Sequence, residues 1–216
     1  MKKYRDYDYC IWDFNGTLLD DVDTGIKSVN TLLSERGLPI IESRERYYSV
    51  FGFPIIDYYR ALGFDFDKEP YEEIAPKWVA LYLENVKTAP LNFYSLEALD
   101  SFENEGIKQI ILSATEISML CSQLSELGIS ERFEEILGLD NIYAGSKLRL
   151  AREWRERHPS AKALLIGDTD HDVKTALELG ADCALVARGH QSREYLEGVG
   201  VPVFDSLKEL CEALSD

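Results

Sequence analysis

Asp13-Phe14-Asn15-Gly16-Thr17-Leu18-Leu19-Asp20 follows an apolar run containing Tyr7, Tyr9, Cys10, Ile11 and Trp12, so a carboxylate is delivered at a strand's end into a tight turn. Asn15-Gly16 supplies residues that tolerate φ > 0, as such a turn requires, and a glycine lets another group approach the backbone closely. Asp13 is thereby expected on an exposed, rigid mouth. A second stretch repeats the design, with Leu164-Leu165-Ile166 ending in Gly167-Asp168-Thr169-Asp170-His171-Asp172. In a parallel sheet both ends open on the same edge, where ligands bind at the point of reversed strand order, so Asp13 and Asp168 converge despite their separation in sequence. Two facing carboxylates repel unless a cation lies between them. Mg²⁺ is the natural candidate, because it takes few protein carboxylates and completes its shell with water and phosphate oxygen.

Outward from these two stretches, β-rich runs at Tyr7–Phe14, Gln109–Leu112, Ala163–Ile166, Ala181–Ala187 and Val201–Phe204 alternate with helical patterns. Such alternation predicts an α/β fold, a Rossmann-like parallel sheet with helices on both faces. Ser95 opens a helix closed by Gly106, Glu116–Leu127 stops at Gly128, Val173–Leu179 stops at Gly180, and a last helix spans about Ser206 to Leu214. Between Asp20 and about Pro90 the alternation fails. Stripes at Ile26, Val29, Leu32 and Leu33, at Ile55, Ile56, Tyr59 and Leu62, and at Ile74, Trp78, Leu81 and Tyr82 all carry helical spacing. Pro54 suits a first helical position.

The chain has 216 residues and a formal charge of −16, from 23 basic and 39 acidic residues. That balance argues against nucleic-acid and anionic membrane partners, which need a basic footprint. A phosphorylated substrate has to be attracted locally, by a metal ion, a lysine or a helix N-terminus. The expected location is cytoplasmic, since no apolar stretch approaches a bilayer span and the N-terminus lacks a secretory pattern. Cys10, Cys121, Cys183 and Cys211 have no Cys-x-x-Cys spacing and suggest neither disulfides nor structural zinc.

The octet Asp13–Asp20 resembles the first motif of the haloacid dehalogenase-like phosphatases, Asp-x-Asp-Gly-Thr-Leu-x-Asp, with Asn15 in place of the second Asp. Gly167-Asp168 with Asp172 resembles their fourth motif. Ser113, after Gln109-Ile110-Ile111-Leu112, falls where the second motif's hydroxyl belongs, and Lys147 in Gly145-Ser146-Lys147 where the third motif's lysine belongs. Arg149 and Arg152 compete with Lys147 for that role. The order of the motifs is most similar to the phosphoglycolate-phosphatase-like branch, which implies a core of residues 1–18 and 89–216 and a small all-helical cap of residues 19–88 inserted after the first strand. An EF-hand reading of Asp168, Asp170 and Asp172 fails, because Val173 and Leu179 stand where its Gly and Glu are needed. Asp170 is also compatible with a simple cap of the helix that follows.

The resemblance implies a Mg²⁺-dependent phosphatase of small phosphorylated metabolites, phosphoglycolate-like phosphomonoesters, acting through an aspartyl phosphate on Asp13. It places the metal on Asp13, the backbone carbonyl of Asn15, Asp168 and Asp172, and the phosphate on Gly16, Thr17, Ser113, Ala114 and Lys147. In the family the second aspartate protonates the leaving oxygen and activates water. Asn15 has no proton to titrate, so the expected enzyme is slow and favours leaving groups that need none, such as aryl or acyl phosphates. Because acid–base help is worth about 10²–10⁴-fold, Asn15→Asp is expected to raise alkyl-phosphate turnover roughly tenfold or more. A phosphate-binding regulatory protein, a phosphomutase and a metal-free dehalogenase are the alternatives, the last disfavoured by Asp168 and Asp172. Phe51-Gly52-Phe53-Pro54, a Gly/Pro turn between cap helices, and His190, after the strand ending at Ala187, are the candidates for the pocket. Arg44 and Arg46 read as solvated charges, His158 and His171 as surface residues, and the cap tyrosines mainly as packing.

Overall fold

A computed structural model describes residues 2–215. Six parallel strands form one sheet in the order β3-β2-β1-β4-β5-β6. They are β1 (Tyr9–Trp12), β2 (Lys108–Glu116), β3 (Glu135–Leu139), β4 (Ala163–Gly167), β5 (Asp182–Val186) and β6 (Val203–Phe204). The central strand β1 is buried throughout, as expected of a strand covered on both faces. Its side chains alternate between two cores. Cys10 and Trp12 pack with Leu99 and Phe102 of α5 (Ser95–Asn104), Leu120 of α6 (Ile117–Glu126) and Leu210 of α10 (Leu207–Ser215). Tyr9 and Ile11 pack on the other face with Trp154 of α7 (Leu148–Arg157) and Leu179 of α8 (Asp170–Leu179). Trp12 pairs in register with Ile111 of β2 and Ile166 of β4, so the loops after β1 and β4 leave the sheet side by side. The strand order reverses between these two strands, which opens a crevice at their C-terminal ends.

Of the five α-helices between β1 and β2, the first four stand apart from the sheet's own layers: α1 (Val22–Glu35), α2 (Arg44–Tyr48), α3 (Ile55–Ala61) and α4 (Tyr71–Asn85). Val29, Leu32, Leu33, Tyr47, Tyr58, Tyr59, Leu62 and Ile74 form a hydrophobic cluster of their own there. These helices therefore carry a separate small core above the sheet's C-terminal edge.

The structure departs from the sequence reading at several ends. β3 escaped it because Glu135-Ile136-Leu137-Gly138-Leu139 is a half-buried edge strand, interrupted by a glycine whose Cβ would strike the backbone of Thr115 and Ile117. β2 runs on through Glu116, whose carboxylate caps α6 by accepting from the backbone of Ser118 and Met119. Pro54 is the N-cap of α3 rather than its first residue. Ser95 does not cap α5; Tyr94 does so with left-handed backbone (φ 70°), while Ser95 Oγ donates to the Leu18 carbonyl. The short helix α2 gives too few turns for a periodic signal, although Ser43 caps it through Arg46 N–H. A further short helix, α9 (Arg193–Leu196), was likewise unread.

Candidate active site

β1 ends at Trp12 and presents Asp13 to the crevice, with Gly16 turning the chain at φ 74°. A Cβ at Gly16, or at Gly189 in the loop after β5, would collide with the Asp168 carboxylate. Glycine is therefore required at both places, so that two loops can close around one acidic side chain. Thr17 Oγ1 donates to Asp168 Oδ1 at 3.0 Å and His190 N–H to Asp168 Oδ2 at 2.6 Å. Asp172 sits one turn into α8, where its Oδ2 accepts from Thr169 N–H at 3.0 Å and Thr169 Oγ1 at 2.8 Å, completing a capping box. Thr169 is thus the cap, and Asp170 instead pairs with Lys174 and Gln191, away from the acidic cluster.

Lys147, immediately before α7, reaches into this cluster. Its Nζ donates to Asp13 Oδ1 at 2.5 Å, to Asp172 Oδ1 at 2.7 Å and to the Leu112 carbonyl at 3.1 Å. Lys147 is 2% exposed, Asp13 9%, Asp168 1% and Asp172 1%. Arg149 and Arg152 form exposed pairs with Asp140, Glu153 and Glu178 and do not approach the cluster. Ser113 is buried and lines the cleft with Ala114, its Oγ accepting from Thr115 N–H at 3.1 Å.

Three aspartates against one lysine leave unbalanced negative charge. Burial raises the Asp13 carboxyl well above the usual carboxylate range, Lys147 opposing and Asp172 and Asp168 adding to the rise. Asp168 is pushed up to about 6 by burial, against the pull of His190 and with the repulsion of Asp172. Burial also raises Asp172, but Lys147 prevails and holds it low; Asp13 and Asp172 in turn keep the lysine fully charged despite its own burial. One ligand oxygen from each of Asp13, Asp168 and Asp172 lies within 4.8 Å of the others. Among the described residues no hydrogen bond is made to the Asn15 carbonyl, which leaves that oxygen available as a fourth hard donor. The donor set and its charge excess suit a small divalent cation.

Asn15 is held on all sides. Its Nδ2 donates to Asp21 Oδ2 at 2.9 Å and to Tyr82 Oη at 2.8 Å, while Oδ1 accepts from Thr115 Oγ1 at 2.7 Å. Tyr82 Oη donates in turn to Asp21 Oδ2 at 2.6 Å, and Gly16 N–H to Asp21 Oδ1 at 2.8 Å. His190 stands 3.3 Å from Asp21 through Nε2 and 2.7 Å from Tyr47 Oη through Nδ1. Burial opposes charge on His190, yet Asp21, Asp168 and Asp13 raise it to about 9. Burial acts against the Asp21 carboxylate too, but His190 lowers it with help from Tyr82 and Asn15. One hydrogen-bonded chain thus runs from Tyr47 and Tyr82 in the helical insertion to Asn15 and His190 at the sheet edge.

Several expectations change here. The Gly16 N–H is taken by Leu19 and Asp21 and the Thr17 hydroxyl by Asp168, so both groups build the acidic cluster rather than face the cleft. Phe51, Phe53 and His190 line the cleft, whereas Gly52 does not. His171 is no surface residue: it is buried and stacks on Phe53 with ring centroids 4.6 Å apart. Tyr47, Tyr58 and Tyr59 both fill the small core and wall the cleft, and Tyr82 walls it from the sheet's own core. Asp21, Tyr82, Thr115 and Asn92 went unread as site residues. Asp21 occupies an ordinary N-cap position before α1, and Asn92, which braces the Asp13 loop by donating to the Gly16 carbonyl at 2.8 Å and the Thr17 carbonyl at 3.0 Å, is a lone amide between Leu91 and Phe93, so neither carries a motif of its own. Among the described residues no helix is long and apolar enough to cross a membrane.

Comparison with known proteins agrees with this geometry. A phosphoglycolate phosphatase from Nitrosococcus oceani is 27% identical, the match covering 94% of each chain. The tyrosine-protein kinase PtkA of Mycobacterium tuberculosis is 26% identical, covering 94% of this chain and 71% of that one. A haloacid dehalogenase-like hydrolase from Streptococcus pneumoniae superposes with a TM-score of 0.82 at 19% identity, covering 98% of this chain and 100% of that chain. The family model described as haloacid dehalogenase-like hydrolase matches residues 10–186, a span that contains Asp13, Ser113, Lys147, Asp168 and Asp172, and the chain belongs to that family.

Proposed function

We propose that this protein is a Mg²⁺-dependent phosphomonoesterase of small phosphorylated molecules that takes the phosphoryl group onto Asp13. The observation that carries this reading is the Asp13 carboxylate itself, backed by Lys147 at 2.5 Å and flanked by Asp168 and Asp172 at the open edge of the sheet. Lys147 occupies Oδ1, and among the described residues no hydrogen bond engages Asp13 Oδ2, so one oxygen is free to attack phosphorus in line. Asp13, Asp168, Asp172 and the Asn15 carbonyl would hold Mg²⁺, which when bound would supply the positive charge that lets an anionic nucleophile meet a phosphate dianion. Lys147 holds a compact charge against the nucleophile, and Ser113 with the neighbouring backbone of Ala114 offers donors to the phosphoryl oxygens. Water then attacks the aspartyl phosphate and returns Asp13 to its carboxylate.

Asn15 donates no proton in this scheme. Losing general acid–base help costs on the order of 3–5 kcal/mol of barrier, which slows the reaction without abolishing attack by Asp13. The closed hydrogen-bond set around Asn15 favours one second reading, a phosphate-binding protein with little turnover. Phosphate release from a panel of phosphomonoesters, with and without Mg²⁺, separates the two. Multiple turnovers that need Mg²⁺ and vanish in Asp13→Asn support the enzyme; Mg²⁺-dependent binding of inorganic phosphate with at most one turnover supports the binder.

A further inference from the structure

We propose that the cleft above Asp13 binds an aromatic leaving group, so that the preferred substrates are aryl phosphomonoesters rather than carboxylated ones such as phosphoglycolate. This assignment rests on the reading of Asp13 as the phosphoryl acceptor and adds the identity of the group on the other side of the scissile bond.

The whole cleft, from the acidic cluster outward, has a volume of about 160 Å³, and away from Asp13 it is walled by Phe51, Phe53, Ile55, Tyr58 and Trp78. An apolar cavity of about 150 Å³ accommodates one benzene ring, so the cleft admits an aryl group no larger than a single ring. Two of the walls are themselves rings fixed from the core side. Phe53 stacks on His171 at 4.6 Å with planes 21° apart, and Phe51 stacks on His190 at 5.1 Å with planes 29° apart. Rigid aromatic faces of this kind favour offset or edge contacts with another ring.

Charge points the same way. Among the described residues no arginine lines the cleft, and the one lysine that does, Lys147, is already engaged by Asp13 and Asp172. His190 is paired with Asp21, and His171 is stacked on Phe53 with its Nε2 at 3.3 Å from the Ser146 hydroxyl. Arg44 is held by Asp23 at 2.8 Å and does not line the cleft. A substrate carboxylate would thus lose its water among aromatic walls and find no free cation, an arrangement that strongly disfavours it.

The chemistry of Asn15 fits the same class. When Asp13 Oδ2 attacks, the bond from phosphorus to the leaving oxygen breaks and its electron pair stays on that oxygen. A phenol titrates near 10, so an aryloxide departs as the anion and takes its proton from bulk water afterwards. In the second half-reaction water adds to phosphorus, its proton leaves on the released phosphate and Asp13 regains its charge. An acyl phosphate would satisfy Asn15 equally well; the aromatic walls select the aryl ester.

The full-length protein with Mg²⁺ tests this with inert phosphonates. Phenylphosphonate is expected to bind about tenfold or more tightly than methylphosphonate, from burial of one ring. The ratio is expected to shrink in Phe53→Ser. Equal affinity for the two, or a ratio unchanged in that variant, overturns the assignment. Turnover of phenyl phosphate, phosphoglycolate and acetyl phosphate is measured in parallel, with kcat/KM for phenyl phosphate expected to exceed that for phosphoglycolate at least tenfold. Hydrolysis of acetyl phosphate through Asp13 with phosphoglycolate preferred over phenyl phosphate leaves the phosphatase and removes the aryl site. Selective phenylphosphonate binding with none of the three esters hydrolysed keeps the aryl site and removes the phosphatase.

Discussion

At Asn15 the side-chain amide faces a carboxylate, since Asp21 Oδ2 accepts its hydrogen at 2.9 Å. An aspartate there would set a second carboxylate against the buried Asp21, so the sequence-based expectation that Asn15→Asp alone speeds alkyl-phosphate turnover is replaced by a paired prediction. We expect that single change to destabilise the fold by about 1–3 kcal/mol by removing a donor from the buried Asp21, with little gain in rate. The pair Asn15→Asp with Asp21→Asn restores one donor facing one acceptor and is expected to show the roughly tenfold gain instead. Thermal melts and alkyl-phosphate kinetics of the two variants check this; a fast, stable Asn15→Asp single variant would refute the pairing. His190 gives a pH signature. Its folded value of about 9 lies above the ordinary 6.5, so the stabilisation from Asp21 is complete below pH 6.5 and is lost as pH rises through 9. Denaturant melts of metal-free protein over that window should fall in the wild type and flatten in His190→Gln.

Among the elements, the N-terminus of α7 carries the heaviest electrostatic duty, because Lys147 is fully buried between Asp13 and Asp172. Lys147→Met leaves those carboxylates without their cation and is expected to cost about 3–5 kcal/mol of stability as well as the activity. Added Mg²⁺ is expected to recover part of the stability and none of the turnover, which calorimetry with and without the metal resolves. The loop after β5 is equally constrained: Gly189→Ala pushes a methyl into Asp168 and should weaken Mg²⁺ binding at least tenfold by calorimetric titration. Part of this frame was legible in sequence, since Asp13 and Asp168 each follow an apolar strand run that marks them, whereas Lys147 and Asp172 were placed by the family resemblance, with Arg149 and Arg152 as rivals of the lysine. Asp21, Tyr82 and Thr115 left no mark, because their role arises only when α4 and the end of β2 meet above β1. Strand β3 was lost for a related reason: a half-buried edge strand with Glu135 and Gly138 lacks the apolar run that revealed β1 and β4.

Over the whole molecule the charge of −16 repels the phosphate dianion that the site attracts. Monovalent salt screens the long-range repulsion while the buried cluster is protected, so kcat/KM for a phosphomonoester is expected to rise on the order of a few-fold between 10 and 150 mM salt at saturating Mg²⁺, roughly the range over which the Debye length falls from 30 to 8 Å. A steep fall would point to an unnoticed basic approach path. The helical insertion is tied to the sheet edge by Tyr47 to His190 and Tyr82 to Asp21, so binding in the cleft and the placement of Asn15 share one network. The central claim remains the covalent role of Asp13, and acid quenching of the working enzyme tests it most directly. Protein mixed with Mg²⁺ and phenyl phosphate should gain the mass of one phosphoryl group, mapped to Asp13 by borohydride reduction and peptide sequencing, and absent in Asp13→Asn. Steady turnover with the label on another residue, or undiminished in Asp13→Asn, would contradict the account.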